Sequence, residues 1–359
     1  MTDLLTPIWH PSSPPPVLAP RAWEDLLGQA KRARLLPRLA LHLAELDGMA
    51  GVPEQPRQHL QGALHIVERQ RHEVLAELGH IERALKAVGS PIILLKGAAY
   101  LYAGLSAARG RVFSDIDLLV PGASLDRAEN ALFAAGWISS ERDRYNQHYY
   151  RQWMHEIPPV THIQRGSVID LHHTIAPPTS RFKLDAATLF ERARPVGNSG
   201  FHVLAPHDMV LHSALHLYQE GEFDHGLRDL LDLQALLTQF DASEVDFWPG
   251  LFIRAQELGL GEPLSHVLAQ LQRLFALRVP ADCSQALKAI RPPGPSHWAI
   301  EALLQQVLRP LHPSCEHLAS RMARGLLYVR SHAIRMPLRL LLPHLLRKAY
   351  LRRFPSSLP

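Results

Sequence analysis

The sequence predicts an α+β protein in which a small mixed sheet with helices lies between two helical regions. Apolar residues recur at helical spacing as far as residue 88. Short apolar runs separated by turn residues follow from 92 to 172, and helical spacing returns after Pro206. Apart from a proline-rich start, the sequence shows neither a fixed-period repeat nor a low-complexity run.

The first ninety residues are predicted to form an arm and a helical segment. Residues 1–20 contain six prolines and few apolar anchors, so we expect them to be irregular. Segment 21–90 carries two helical patterns, and the sequence Gly-Ser-Pro ends the second. The first helix is expected from Trp23 to Leu46 with a break near Pro37, and the second from about Gln58 to Val88.

Residues 91–205 are predicted to form the mixed core, because strand and helix patterns alternate there. Ser124 is a candidate N-cap, and Gly136 a candidate stop, for one of its helices. The predicted strands are Ile92–Lys96, Ile116–Val120, Trp137–Ser139, one near His148–Met154, and Val168–His172; the predicted helices are Ala98–Gly104 and Asp126–Ala135.

Residues 206–320 are predicted to form a helical domain, followed by a basic amphipathic tail at 321–359. Segment 321–353 contains eight arginines and Lys348 but no acidic residue, so it carries +9 in a chain whose net charge is +4. Three interpretations remain open: a helix packed on the body with solvated arginines, an anionic membrane surface, and, less favoured, nucleic acid or another acidic partner. The helices are expected at 206–220, 226–240, 246–258, 262–275, 284–291, 297–309 and 316–334.

Length and composition favour an ordinary globular protein. With 359 residues, 47% hydrophobic and 20% charged, the chain is long enough for about two domains. No apolar run reaches the roughly 18 residues of a membrane span, and the N-terminus lacks a signal-peptide pattern. Cys283 and Cys315 are too few for a disulfide framework. We therefore expect a cytoplasmic protein, peripheral to the inner face of a membrane if the tail binds lipid.

The most informative motif is the pair Asp115 and Asp117 in S-D-I-D-L-L-V. Alternate residues of a strand share a face, so the two carboxylates lie together and repel each other unless a cation lies between them. A third carboxylate, Asp170 in V-I-D-L-H, belongs to a strand that can lie beside this one. Three such carboxylates predict a site for two Mg²⁺ ions, one holding a triphosphate and one lowering the pKa of an attacking hydroxyl.

A phosphate-binding turn is predicted before this pair. Gly97 follows an apolar strand and opens a helix with Ala98, so the free N–H groups of the helix start favour an anion. Lys96, Arg109 and Arg111 supply cations within reach of the same phosphates. The turn and the carboxylates together predict a nucleotide site.

Three further groups have open roles. Asp208, His212 and His216 recur every four residues on one helix face, which suits a metal site, a pocket wall or a structural face. His172 shares a strand face with Asp170, so it can reach the same site. An aromatic cluster between 145 and 153 suits either base stacking or sheet packing.

These motifs resemble those of nucleotidyltransferases with a polymerase-beta-like fold, specifically a bacterial branch of uncharacterised nucleotidyltransferases. Two helical flanks agree as well: W-E-D-L-L near Trp23, and a pattern that runs from His216 through Arg228 to Asp232. The resemblance covers most of residues 20–240. It rests on L-L-K-G-A at 94–98, R-x-F-S-D-I-D-L-L-V at 111–120 and V-I-D-L-H at 168–172.

The resemblance implies that Asp115 and Asp117 are metal ligands and that Asp170 is the base or a ligand of the second metal. It places Gly97 at the nucleotide-binding turn, where the wider superfamily has Gly followed by Gly or Ser and this chain has Lys-Gly-Ala. The candidate site residues are therefore Asp115, Asp117 and Asp170 for metal binding and catalysis; Lys96, Gly97, Ala98, Arg109, Arg111 and Ser114 for the nucleotide; and His172, His216, Arg228 and Asp232 for the substrate pocket.

The expected function is Mg²⁺-dependent transfer of a nucleoside monophosphate from an NTP, with ATP as first candidate, to an unidentified acceptor with release of pyrophosphate. A small molecule, a peptide or a glycan would serve as acceptor, and the fold does not choose among them. The altered turn motivates an alternative, a catalytically weak or inactive module that binds or scaffolds, held at a membrane surface by the tail.

Overall fold

A mixed β-sheet of seven strands organises the described part of the chain, which is residues 2–14 and 16–353 of this computed structural model. Met1, Pro15 and residues 354–359, which belong to the predicted arm and tail, lie outside the described residues. The strands are β1 (Ile92–Leu94), β2 (Ile116–Leu119), β3 (Trp137–Ser139), β4 (Val160–His162), β5 (Val168–His172), β6 (Arg194–Pro195) and β7 (Phe201–Val203), and their order across the sheet is β3-β4-β5-β2-β1-β7-β6.

The centre of the sheet fixes the positions of the predicted acidic residues. β2 is antiparallel to β1 and parallel to β5, and the register pairs Asp117 with Asp170 and Leu119 with His172. Every residue of β1 and β2 is buried, so both faces of this part of the sheet are covered. Since partners in register project to the same face, Asp117, Asp170 and His172 share one face.

Helices precede, interrupt and follow the sheet. Before it, the long α3 packs against α2; after it, α8 packs against α9 and α11. The helices are α1 (Pro20–Arg32), α2 (Leu36–Asp47), α3 (Glu54–Leu85), α4 (Lys96–Tyr102), α5 (Leu125–Ala134), α6 (Arg144–His148), α7 (Ala187–Arg192), α8 (Pro206–Gln219), α9 (Gly226–Ser243), α10 (Phe247–Glu257), α11 (Gly261–Phe275), α12 (Ser284–Ile290), α13 (Pro295–Val307), α14 (Leu318–Arg335) and α15 (Leu338–Arg353).

The predicted α+β class is confirmed, and each helix predicted after Pro206 is present. The break predicted near Pro37 is present: the chain turns at 33–35, which separates α1 from α2. The predicted first strand ends early, at Leu94, because Lys96 already begins α4. Strands β4, β6 and β7 were not predicted, since two or three residues show no periodicity.

The predicted strand near His148–Met154 is wrong. These residues continue α6 as a π-helical turn, Tyr149–Trp153. Tyr145 and Trp153 meet edge to face with 5.9 Å between ring centroids, and Tyr149 contacts the same indole at 6.0 Å. The three rings recur every four residues, which is a helical spacing. The strand was predicted because aromatic residues are typical of strands.

Ser124, the predicted N-cap of α5, does not cap the helix with its side chain. Its hydroxyl instead accepts a hydrogen bond from Arg127. The predicted helix is nevertheless present and begins at Leu125.

The N-terminal arm is docked on the body. Leu5 and Ile8 are buried around a 3-10 turn at Thr6–Trp9. The backbone N–H of Thr2 donates to the carbonyl of Ser314, and the Gln29 amide donates both to the Thr2 carbonyl and to the Ser314 hydroxyl. The start of the chain is thus tied to the segment before α14 through α1.

The segment predicted as a basic tail begins as a packed helix. α14 contacts α13 and α8, and the guanidinium groups of Arg330 and Arg335 donate to the backbone carbonyls of Tyr218 and Gln219 at the end of α8. These two arginines are therefore bound to the body rather than solvated. An apolar stripe remains exposed on α14, formed by Leu318, Met322, Leu326 and Val329.

Among the described residues, none of the helices combines the length and the apolar character that crossing a bilayer requires.

Candidate active site

The carboxylate of Asp117 lies at the centre of a buried polar cluster on the sheet. The residue is 4% exposed, and Lys96 Nζ donates to its Oδ1 at 2.9 Å. His172 Nε2 lies 3.1 Å from the same oxygen. Burial alone would raise the pKa of Asp117, but the charge of Lys96 and the contact with His172 hold that pKa well below its usual value. Asp117 is therefore a carboxylate anion at neutral pH.

Lys96 reaches Asp117 because the backbone turns sharply after β1. Its φ is 44°, in the left-handed region that costs a non-glycine residue about 1–2 kcal/mol. The N–H of Leu95 donates to the carbonyl of Asp117, which holds the turn against β2. Burial alone would lower the pKa of Lys96, but attraction to Asp117, Glu156 and Asp115 raises it. The predicted need for a cation beside the carboxylates is thus met in part by an ammonium of the chain itself.

Asp170 is the least compensated acid of the cluster. It is the register partner of Asp117, and its Oδ1 is buried without a hydrogen-bond partner. Burial, followed by the charges of Asp117, Glu156 and Asp115, raises the pKa of Asp170 to about 7. The site therefore holds more negative charge than its cations balance, which favours an added cation or a proton.

Asp115 stands at the solvent edge of the cluster. It precedes β2, is exposed, and accepts a hydrogen bond from the Ser114 hydroxyl at 2.8 Å. Its charge contributes to the pKa of both Lys96 and Asp170, so the three predicted carboxylates interact electrostatically. Ser114 and Asp115 line an open cleft of about 500 Å³ between α3 and β5, which gives solutes access to this edge.

The predicted turn needs a glycine because an arginine packs on it. A Cβ on Gly97 would lie 2.8 Å from Arg111 Nε. Arg111 cannot easily withdraw, since its guanidinium pairs with Asp232, which also binds Arg38 at 2.7 Å. Arg111 and Asp232 therefore form a buried ion pair that packs against the turn and supports it. They do not line an open pocket.

Arg109 is not brought to the carboxylates. Its guanidinium lies on the surface and pairs with Glu45 of α2 at 2.6 Å, with 65% of the side chain exposed. Ala98, by contrast, is buried directly after Gly97 in the first turn of α4. The structure thus places the Lys-Gly-Ala turn beside the acids and leaves Arg109 apart.

A family model described as uncharacterised nucleotidyltransferase matches residues 19–276, more than half of the chain. The chain belongs to this family. Among solved structures, the crystal structure of an antigenic nucleotidyltransferase-like protein from Paracoccidioides brasiliensis is similar over 62% of this chain and 95% of that chain, with 15% identity and a TM-score of 0.33. No curated protein resembles the chain closely enough in sequence to count as a match.

In this nucleotidyltransferase-family protein, two histidines of α8 face the cluster. Burial and the charge of Lys96 lower the pKa of His212 to about 3, and Lys96 together with burial lowers the pKa of His216 well below its usual value. Asp208 instead pairs with Arg254 at 2.6 Å. The predicted face of three residues is therefore divided: Asp208 pairs with Arg254, whereas the two histidines are kept neutral by burial and by the charge of Lys96.

Arg228 approaches the site from α9. Its guanidinium donates to the neighbouring Asp229, and Asp115 is among the carboxylates that raise its pKa against the effect of burial. The predicted group of His216, Arg228 and Asp232 does not act as one unit, because Asp232 belongs to the ion pair that supports the turn. Arg228 and His216 are the members near the acids.

Three residues that the sequence did not indicate belong to the cluster. Glu156 Oε2 lies 3.5 Å from His172 Nε2, and an isolated bridge pairs their backbones. The ring of His155 lies 5.1 Å from that of His172. Arg335, at the end of α14, contributes to lowering the pKa of His155, after burial, His172 and Lys96. Their separation along the chain leaves no local signal by which sequence could find them.

The donor set fits a hard divalent cation. Asp115, Asp117, Asp170 and Glu156 offer carboxylate oxygens, which Mg²⁺ prefers, and Asp170 Oδ1 is a buried acceptor that lacks a partner. A nitrogen from each of His155 and His172 and an oxygen of Glu156 lie within 4.8 Å of one another, whereas Asp115, Asp117 and Asp170 do not form so compact a group. The protein thus carries acids of the type that binds Mg²⁺ within two adjacent strands, β2 and β5, and just before β2.

Proposed function

We propose that the protein is an Mg²⁺-dependent nucleotidyltransferase that moves a nucleoside monophosphate from an NTP, first of all ATP, to a hydroxyl acceptor and releases pyrophosphate. The observation that carries the proposal is the register pairing of Asp117 with Asp170, with Asp115 beside them and Asp170 Oδ1 unpartnered. Membership of the nucleotidyltransferase family supports the reaction class. A small molecule, peptide or glycan is the proposed acceptor.

Asp115, Asp117 and Asp170 would hold the metal, which when bound neutralises phosphate charge and lowers the pKa of the attacking hydroxyl. Lys96 keeps Asp117 ionised and places an ammonium at the start of α4, where a phosphate is expected. Arg335 and Arg228 add positive charge from two other helices. The buried walls of the site strengthen these electrostatic contacts.

In the transfer step, the acceptor oxygen forms a bond to the α-phosphorus as the bond from that phosphorus to the bridging oxygen breaks. Pyrophosphate leaves with that oxygen, and the hydroxyl proton passes to Asp170. Its Oδ1, which is buried without a hydrogen-bond partner, would accept that proton. The main contribution of the chain is positioning and charge neutralisation, as in other phosphoryl transfers.

The test uses the full chain, Mg²⁺, a cell extract and ATP labelled at either the α- or the γ-phosphate. We expect the α-label to appear in an acceptor and the γ-label in pyrophosphate. Asp115→Asn should abolish the α-labelling, whereas Asp241→Asn, at an exposed position of α9, should not. Equal labelling by wild type and Asp115→Asn would contradict the assignment.

The contact between Lys96 and Asp117 favours a second candidate, a module that binds or scaffolds without transfer, because the ammonium already lies where a metal would bind. Calorimetry with each of the four common NTPs, with and without Mg²⁺, separates the two functions. NTP binding that needs Mg²⁺ supports the transferase. Absence of any metal-dependent binding supports the module.

The apolar stripe on α14 suits the membrane attachment proposed for such a module, since Arg321 and Arg324 lie on the same helix. Co-sedimentation with phosphatidylserine vesicles tests this. The double variant Leu326→Asn and Val329→Asn should reduce binding, and high salt should weaken it. Vesicle binding that both changes leave unaltered would exclude the stripe as the contact surface.

A further inference from the structure

A second group of metal-ligand side chains lies in the helical region that follows the sheet. His266 belongs to α11, and His297 and Glu301 belong to α13. The three residues are 1%, 1% and 8% exposed. One ligand atom from each lies within 4.8 Å of the other two. This convergence is independent of the acids on the sheet.

Two facing helices create the convergence. His297 and Glu301 are four residues apart on α13, so they share a face, and α13 packs on α11. His297 Nε2 lies 2.7 Å from Glu301 Oε1, and His266 Nδ1 lies 4.0 Å from the same oxygen. The two imidazole rings are 4.3 Å apart between centroids. All three side chains are thus directed at one small volume.

The polar atoms of this group are unsatisfied. Both ring nitrogens of His266, both of His297, and Glu301 Oε1 are buried without a hydrogen-bond partner. The short separation of His297 and Glu301 therefore lacks the angles of a hydrogen bond. Each such buried group costs about 1–3 kcal/mol, so a native cluster of them needs an explanation.

We propose that His266, His297 and Glu301 bind a divalent transition-metal ion of the zinc type. Two imidazoles and one carboxylate form a recurrent zinc donor set. With bonds of about 2.0–2.1 Å, ligand atoms of a tetrahedral ion stand about 3.3 Å apart. That value lies between the observed separations of 2.7 and 4.0 Å.

A neighbouring amide completes the surroundings. Gln270 follows His266 by one turn of α11, its Nε2 lies 3.5 Å from the Glu301 carbonyl, and its Oε1 is buried without a partner. That oxygen is suited to accept a hydrogen bond from a water in the fourth coordination position. Tyr218 of α8 stacks on His266 at 5.6 Å between centroids. The ion would therefore fasten α11 to α13 and support their contact with α8.

The experiment measures metal in the full chain, purified without a histidine tag from zinc-supplemented cells. We expect about one zinc per chain by mass spectrometry. Glu301→Gln and His297→Asn should each lose it, and Gln270→Ala should weaken zinc affinity by about 10–100-fold. His59→Asn, an exposed histidine of α3, and Asp115→Asn, at the other site, should each retain it.

A second measurement needs no variant. Chelator-treated wild type should gain thermal stability from Zn²⁺ but not from Mg²⁺, and Co²⁺ should give the visible absorption of a four-coordinate ion. Wild type that holds no zinc and shows neither response overturns the proposal, as does zinc retained in Glu301→Gln and His297→Asn or lost equally in His59→Asn. None of these readouts depends on nucleotidyl transfer.

Discussion

The acids on the sheet and the histidine pair between α11 and α13 are both buried ligand groups, but they differ in how their charge is balanced. On the sheet, Lys96 donates directly to Asp117. Among the ion pairs of the described residues, Glu301 contacts histidines alone. Burial and His297 lower the pKa of His266 to about 3, so that imidazole is neutral.

This difference in charge balance distinguishes an exchangeable, catalytic metal site from a structural one. A cluster with its own ammonium is partly balanced without an ion, so it can take up and release metal and nucleotide while the fold persists. A cluster of two imidazoles and a carboxylate whose polar atoms lack hydrogen-bond partners gains its missing partner only from an ion, so there binding and folding are coupled. We therefore expect a weak, exchangeable site on the sheet and a tight, structural one in the helices.

The largest expected effect is on catalysis. Asp115→Asn removes an exposed carboxylate, so nucleotidyl transfer should fall by at least about 10³-fold, the size typical of losing a principal catalytic group. The melting temperature and the zinc content should stay at wild-type values. A parallel loss of stability or zinc would show that the two clusters are coupled rather than independent.

The next effect tests the internal cation. Asp117→Asn leaves the Lys96 ammonium buried without its partner, which should lower the free energy of unfolding by about 3–5 kcal/mol. Adding Lys96→Met removes that charge and should restore part of the loss. Denaturant unfolding of the single and double variants measures both. If the double variant is no more stable than Asp117→Asn, Lys96 does not balance the cluster.

A pH-dependent effect is expected at Asp170. Its raised pKa of about 7 means that the folded state binds this proton more tightly than the unfolded state. The group therefore stabilises the fold least at high pH, and its own contribution to stability should fall by about 1.4 kcal/mol per pH unit between pH 4 and 7. In chelator, Asp170→Asn should be more stable than wild type at pH 8, with the difference vanishing near pH 4.

Denaturant unfolding at several pH values checks this expectation. A constant difference between Asp170→Asn and wild type across that range would show that burial and the neighbouring acids do not govern Asp170.

The smallest effect concerns the turn before the acids. Gly97→Ala places a methyl group 2.8 Å from Arg111 Nε, and Asp232 hinders the arginine from moving, so a loss of about 1–3 kcal/mol is expected. Gly62→Ala is the matched control, because a Cβ there meets nothing within 4 Å on α3. The control should be neutral or slightly stabilising. Equal effects of the two substitutions would show that the contact with Arg111 is not the reason for the glycine at position 97.

The sequence predicted the part of the candidate site that local spacing encodes. The alternation of β2 and β5 aligned Asp117 with Asp170 and placed His172 on their face. The helices after Pro206 followed from apolar periodicity in the same way. Side-chain direction was harder to predict: Lys96 was expected near phosphates and contacts Asp117, whereas Arg109 turns away to Glu45.

The remaining groups depend on contacts between distant parts of the chain. Arg335 reaches the site only because α14 packs on α8, and no spacing rule links it to Asp117. The helical cluster was missed for a related reason. In a chain with twenty-two histidines, a histidine four residues before a glutamate, as at His297 and Glu301, is not a distinctive signal. His266 joins them only because α11 packs on α13.

The buried amide of Gln29 has a consequence for the order in which the molecule can be completed during its synthesis. It joins Thr2 to Ser314, which are brought together only after the intervening chain exists, since Gln29 and Ser314 are 285 residues apart. At about 5–20 residues per second, a ribosome needs roughly 15–60 s for that stretch. Until then, the first segment lacks the hydrogen-bond partner at Ser314, and Leu5 and Ile8 are buried only after α11, on which their turn packs, has been made.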